Sequence, residues 1–360
     1  MKIMPALSSF VHFVVSRGPD LPPIIGTGIW RNLLMKRMSV VALVVLSLVT
    51  VWSPAITGQK PAAIPRLADG KPDMQGYWTN QTFTPLERPA QWKDKATLTA
   101  EEALAFAKGR IDDLSDQPRG AEVTRDADIH YDDAIWMLEG YPKGAMLRTA
   151  IITDPPDGRI PPLSPEGQKR QQARAAARKG KGQFDDAESR GLSERCIYWA
   201  HEGPPILPTG YNSNLQIHQA PQTFVVIPEM MPSARIVPID GRPKLGTNVR
   251  GYRGDSRGRW EGDTLVVETT NYFEKTAWRG TGEHLKVTER FTMTSPTTIR
   301  YQFTVDDPTT WTRPWSGEYE MTRIDGPIFE YACHEGNYGL PSILKGARLA
   351  EEAAAKTGSR

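Results

Sequence analysis

Cysteine and histidine are scarce in this sequence, with two of the first and six of the second in 360 residues. Neither Cys-x-x-Cys nor His-Glu-x-x-His occurs, which removes the dithiol redox and zincin readings. Glycine-rich phosphate loops are missing too, and with them the usual nucleotide sites. Neither sign of charge dominates: 44 basic residues stand against 42 acidic ones, a formal net charge of +2. Cleavage after Gly58 would remove Lys2, Arg17, Arg31, Lys36, Arg37 and Asp20, leaving 39 basic and 41 acidic residues. The small basic surplus therefore belongs to the N-terminus, and nothing in the charge balance supports nucleic acid as a partner.

Proline and glycine are slightly abundant, at 30 and 31 residues. Many turns between short strands suit that composition better than long helices. The one long apolar stretch lies near the start. Lys36 and Arg37 precede an uncharged run, Met38 to Gln59, whose apolar centre spans Val40 to Val51, and Ala55, Thr57 and Gly58 follow as small residues. A positive segment, an apolar segment and small residues together read as a signal peptide over 35–58. The apolar centre is shorter than the roughly 20 residues a spanning helix needs, so a cleaved leader and a periplasmic or secreted protein are expected, with no membrane partner afterwards. Residues 1–34 precede a second start at Met35 and are expected to be a mis-set start or an extension.

The remainder divides into a proline-rich and helical region over 59–195, a β-barrel domain over 196–340 and a C-terminal helix over 341–360. In the first, Thr99 and Glu102 form a capping box ahead of a short helix to Leu114, and Glu166 to Lys181 reads as a solvated basic helix. From Thr223 onward the period changes to two. Leu285, Val287, Phe291 and Met293 alternate with polar residues, as do Ile299, Tyr301, Phe303 and Val305. Tight turns at Gly262-Asp263 and Ser295-Pro296-Thr297 join such strands. The fold expected is mainly β: an antiparallel meander closing into a lipocalin-like barrel or a strongly curved sheet, with a few peripheral helices.

Long stretches of the chain resemble a family of exported proteins from soil and water bacteria: Asp154-Pro155-Pro156-Asp157-Gly158-Arg159-Ile160-Pro161-Pro162-Leu163, Arg259-Trp260-Glu261-Gly262-Asp263-Thr264-Leu265-Val266-Val267-Glu268-Thr269-Thr270-Asn271 and Cys333-His334-Glu335-Gly336-Asn337-Tyr338. The resemblance spans nearly all of the chain after the leader and implies export without implying an activity. Pro232 and Lys244 stand where other members often place histidines.

Two polar residues break the apolar faces. Glu289 is in phase with Val287 and Phe291, and Arg323 with Tyr319 and Met321, so both are expected to point inward and to pair, because an unpaired buried charge costs several kcal/mol. They would form either a structural ion pair or the polar floor of a ligand cavity walled by Tyr301, Phe303, Phe291, Tyr319 and Trp315. His201-Glu202 and His334-Glu335 each follow a cysteine. Cys196 and Cys333 are expected to pair in an exported protein, which would bring the two His-Glu pairs together. His201, His334 and Glu335 are then candidate acid/base residues, and a divalent metal at His201, His218 and His334 is the cofactor such a cluster could hold. Two functions follow: a binder of a small apolar or aromatic compound, or a periplasmic hydrolase or lyase with a His/Glu site. Binding is favoured, because no nucleophile with both a base and an orienting group is recognisable.

Overall fold

The computed structural model describes residues 62–114, 147–209, 211–231, 233–276 and 278–358. The expected extension, the signal peptide and its cleavage point lie outside them. Ten strands form one antiparallel sheet: β1 Gly76–Thr79, β2 Ile152–Asp154, β3 Asn214–Ala220, β4 Thr223–Pro228, β5 Arg235–Pro238, β6 Asp255–Glu261, β7 Thr264–Thr270, β8 Lys286–Ser295, β9 Thr298–Asp306 and β10 Trp315–Ile324. Among the described residues there are three α-helices: α1 Ala100–Leu114, α2 Pro165–Arg178 and α3 Gly339–Gly358. The protein is therefore mainly β.

The strand order is β5-β4-β3-β1-β10-β9-β8-β7-β6, with β2 bonded to the other half of the β10 edge. Five successive strands, β6 to β10, make the expected meander. The sheet is not a meander throughout, however. β1, from the proline-rich region, inserts between β3 and β10, with Trp78 opposite both Leu215 and Arg323. Both β1 and β2 precede residue 196, so the sheet begins well ahead of the segment in which the barrel was expected.

The end strands β5 and β6 come together in space without ladder hydrogen bonds, leaving a nearly closed barrel with one unsealed seam. Gly258 of β6 permits the approach: a Cβ there would lie 2.5 Å from Ile239 Cγ2 and 3.2 Å from Val237 Cγ1. Any larger residue would push β5 outward.

Alternation places Val287, Phe291 and Met293 of β8, Ile299, Tyr301, Phe303 and Val305 of β9, and Trp315, Tyr319 and Met321 of β10 inside the barrel, all buried. Each such side chain contributes roughly 1.5–3 kcal/mol on full burial. Gly317, paired with Phe303, leaves space for its ring. The rings pack at angles favourable to aromatic pairs, Phe291 against Tyr301 at 5.0 Å and Phe303 against Trp315 at 5.9 Å.

The helices start where their caps stand. Thr99 Oγ1 accepts from Glu102 N at 3.2 Å, and Glu102 Oε2 accepts from Thr99 N at 2.8 Å, so the capping box ahead of α1 is complete. Ser164 caps α2 by accepting from Gly167 N at 3.0 Å. α3 is tied back through Arg348 Nη1, which donates to the Asp185 carbonyl at 2.8 Å. No described helix is long and apolar enough to cross a membrane. Cys196 and Cys333 form a disulfide with Cα atoms 5.8 Å apart. Such a bond persists in an oxidising compartment.

Candidate functional site

Glu289 points into the barrel and is fully buried. Its partner is not Arg323 but Arg235 of β5. Arg235 Nη1 donates to Glu289 Oε1 at 2.9 Å, and a second contact joins Nη2 to Oε2. Tyr301 Oη donates to Glu289 Oε1 at 2.8 Å, while Arg235 also reaches Ser256 Oγ and Thr269 Oγ1 at 3.2 Å each. Burial works against the charge on Arg235, and the adjacent Glu289 carboxylate outweighs it, holding the guanidinium protonated. The network continues to the barrel end. Ile206 N donates to Tyr301 Oη at 2.8 Å, and Tyr319 Oη donates to the Ile206 carbonyl at 2.9 Å, so the loop after Glu202 stoppers the barrel.

Thus Glu289, Tyr301, Phe303, Phe291, Tyr319 and Trp315, expected as cavity lining, instead fill the interior with one another and line none of the clefts described below. Expecting their inward direction was sound, but the barrel is narrow enough for its own aromatic side chains to occupy the centre. Arg323 is half-buried. Its guanidinium lies 4.4 Å from the centroid of the Trp78 ring, and it donates to the carbonyls of Gln75 at 2.8 Å and Pro296 at 3.2 Å. It closes one end of the sheet and takes no part in the Glu289 network.

The disulfide does not bring the two His-Glu pairs to one cleft. His334 and Glu335 are exposed beside Cys333 in a 240 Å³ cleft that includes Met231 and Arg253 but not His201. His218 is exposed on β3. Among the described residues no group of three His, Cys, Asp or Glu side chains converges as a metal site would, so His201, His218 and His334 do not form one. Glu202 is buried and paired with Arg253. One apparent serine motif is also structural. Gly254-Asp255-Ser256-Arg257-Gly258 spells Gly-x-Ser-x-Gly, yet Ser256 lies within β6, where it is buried and bonded to Thr269 and Arg235. A nucleophile elbow needs an exposed serine on a strand-to-helix turn.

His201 stands apart. It follows Trp199 on a single 3₁₀ turn, Ala200–Glu202, and borders a cleft of 790 Å³. Phe83, Leu86, Phe106, Ile151 and Leu207 form apolar walls, and Thr84, Thr209, Arg110 and Arg279 bring polar groups to them. Phe106 is held by α1 and packs edge-on against Trp92 at 4.5 Å. Among the described residues no carboxylate lines the cleft. His201 Nδ1 is buried without a hydrogen-bond partner. Burial pushes the imidazole below its ordinary range; the nearby Pro208 carbonyl favours the protonated ring, and the charge of Arg279 opposes it. A neutral imidazole beside an apolar cleft can accept a hydrogen bond or a proton.

Arg235, Phe106 and Arg279 were not singled out from sequence. Arg235 carried a usable signal, since it is in phase with buried Val237 on β5. Arg279 carried none, because it adopts the left-handed conformation, φ 49° and ψ 31°, in a turn whose shape depends on its neighbours. No family model, no curated protein and no solved structure matches the chain.

Proposed function

We propose that the protein is an exported binder of a small apolar or aromatic compound, held in the 790 Å³ cleft bordered by His201 and Phe106. The observation that carries this reading is the character of the cleft: apolar and aromatic walls with a few convergent polar groups, the composition of small-molecule sites. The volume lies in the 300–1,000 Å³ range common for such sites. Export rests on the charged-then-apolar pattern over 35–58 and on the disulfide, which suits an oxidising compartment. The hydrolase or lyase reading retains only His201, since His334 and Glu335 border a different cleft.

Titration with 8-anilinonaphthalene-1-sulfonate, an aromatic probe, tests binding. Saturable fluorescence enhancement by the folded protein, weakened about tenfold in Phe106→Ala, is the expected result; one lost ring contact of about 1.4 kcal/mol gives that factor. Absence of saturation, or equal affinity in Phe106→Ala, overturns the assignment. Export is checked by N-terminal sequencing of the periplasmic fraction, where a start near Gln59 is expected and Met1 or Met35 would reject cleavage.

A further inference from the structure

A second cleft, of 390 Å³, lies between α2 and the turn Trp278–Gly280. Arg174 and Arg178 project from α2 on one wall, and Arg279 stands on the other. Leu163, Gly167, Gln171, Ala175 and Gly280 complete the lining among the described residues, none of them a carboxylate. The i, i+4 spacing of Arg170, Arg174 and Arg178 puts three guanidinium groups on one helix face. On an open surface such a row would be a solvated basic face. Here it faces a wall carrying a further arginine.

Two of these cations, Arg170 and Arg174, are fixed by the fold. Arg170 Nε donates to the Gly280 carbonyl at 3.2 Å, and Arg174 Nη2 donates to the Thr281 carbonyl at 3.2 Å, which fastens α2 to the opposite turn. Gly167 lets the helix approach, because a Cβ there would lie 2.4 Å from the Thr310 carbonyl oxygen. Arg279 is held in the left-handed region, a cost for any residue but glycine that folds tolerate mostly where the side chain has a task. Among the described residues the side chains of Arg178 and Arg279 donate no hydrogen bond, and the Arg279 guanidinium lies 5.7 Å from the centroid of the Trp278 ring. The acidic groups nearby are Glu166, 3.8 Å from Arg170, together with Glu274 near Arg174 and Glu87 near Arg279; they do not line the cleft. The acidic groups act on Arg170, Arg174 and Arg279 from outside the cleft, and within it the guanidinium groups face one another. Burial and the charges of Arg170 and Arg178 hold Arg174 below the usual guanidinium range, against the pull of Glu274.

We propose that Arg174, Arg178 and Arg279 form a site for a tetrahedral oxyanion of the phosphate or sulfate class, free or as the head of an ester. Guanidinium forks match such oxygens in pairs, and donors on both walls can reach one anion. Arg279 also lines the large cleft, so an ester could set its apolar part there. The anion site does not depend on that arrangement.

Calorimetric titration of the mature protein with inorganic phosphate and with sodium sulfate, at constant ionic strength in chloride, tests the proposal. Saturable binding of one or both is expected, weakened at least about tenfold in the double variant R178Q/R279Q, the loss of roughly one charge-assisted hydrogen bond. Arg178 is exposed and its side chain bonds to no described residue, so the anion-free melting temperature of R178Q should be that of the parent, while R279Q also gives up the contact of Arg279 with the Trp278 ring. The single variant R178Q keeps the test valid if the double variant fails to fold. Phenyl phosphate distinguishes the sources: tighter binding than inorganic phosphate, still sensitive to R178Q, assigns an ester, and equal or weaker binding assigns the free anion. No saturable binding of any of the three, or equal affinity in the variants, overturns the site. Loss of 8-anilinonaphthalene-1-sulfonate binding with phosphate binding intact would reject the large-cleft reading alone.

Discussion

Arg235 of β5 and Glu289 of β8 are hydrogen bonded inside the barrel, at 2.9 Å between Nη1 and Oε1, although their strands lie on opposite sides of the unsealed seam. Where β5 and β6 share no ladder, this pair, with Ser256 and Thr269, links the two edges of the sheet.

Glu289→Leu should therefore be severely destabilising, by about 3–5 kcal/mol, because it leaves the Arg235 charge buried and unpaired. The double change Arg235→Met with Glu289→Leu should recover much of that loss. Urea unfolding of the three proteins measures both; a double variant no more stable than the single one would show that the ion pair contributes more than mutual neutralisation.

Gly258→Val should open the seam. Its side chain would collide with Ile239 and Val237, so a cost of about 1–3 kcal/mol is expected from overpacking, with faster amide exchange in β5 than elsewhere in the sheet. Hydrogen exchange followed by peptide mapping is the measurement, and unchanged protection of β5 would count against closure at this point.

The Cys196–Cys333 bond closes a sequence separation of 137 residues. In the chain-entropy treatment a loop of that size gives about 5 kcal/mol, as an upper figure. Cys196→Ser with Cys333→Ser should lower the denaturant midpoint substantially and make it insensitive to reductant, whereas the parent midpoint should fall to the variant's on reduction.

Stability should depend on pH through His201. Its folded imidazole lies below its ordinary value of 6.5, chiefly through burial, so folding disfavours the protonated form. The contribution is complete above that value and is lost as pH falls below it toward the folded pKa. Between about pH 8 and pH 5 the parent should lose stability relative to His201→Gln, read from urea midpoints at each pH. Parallel curves for the two proteins would remove His201 from the account.

Much of the fold is local in origin and was therefore legible. Alternation in Leu285–Met293 and Ile299–Val305 reports which side of a strand is buried, and it correctly turned Glu289 inward. Thr99 with Glu102 marks a helix start because its donors and acceptors lie three residues apart. The only two cysteines have only each other to meet. What each inward group meets across the sheet was a different matter. Period two says that Glu289 and Arg323 share a phase, but the curl of the sheet brought Arg235 from the far edge to the carboxylate and left Arg323 over Trp78. Likewise β1 enters between β3 and β10, and Arg279 faces α2, through contacts between segments far apart in the chain. Burial direction is carried by neighbouring residues and can be read along the sequence; pairing, closure and the walls of a cleft depend on the order in which strands assemble, and only the tertiary structure decides them.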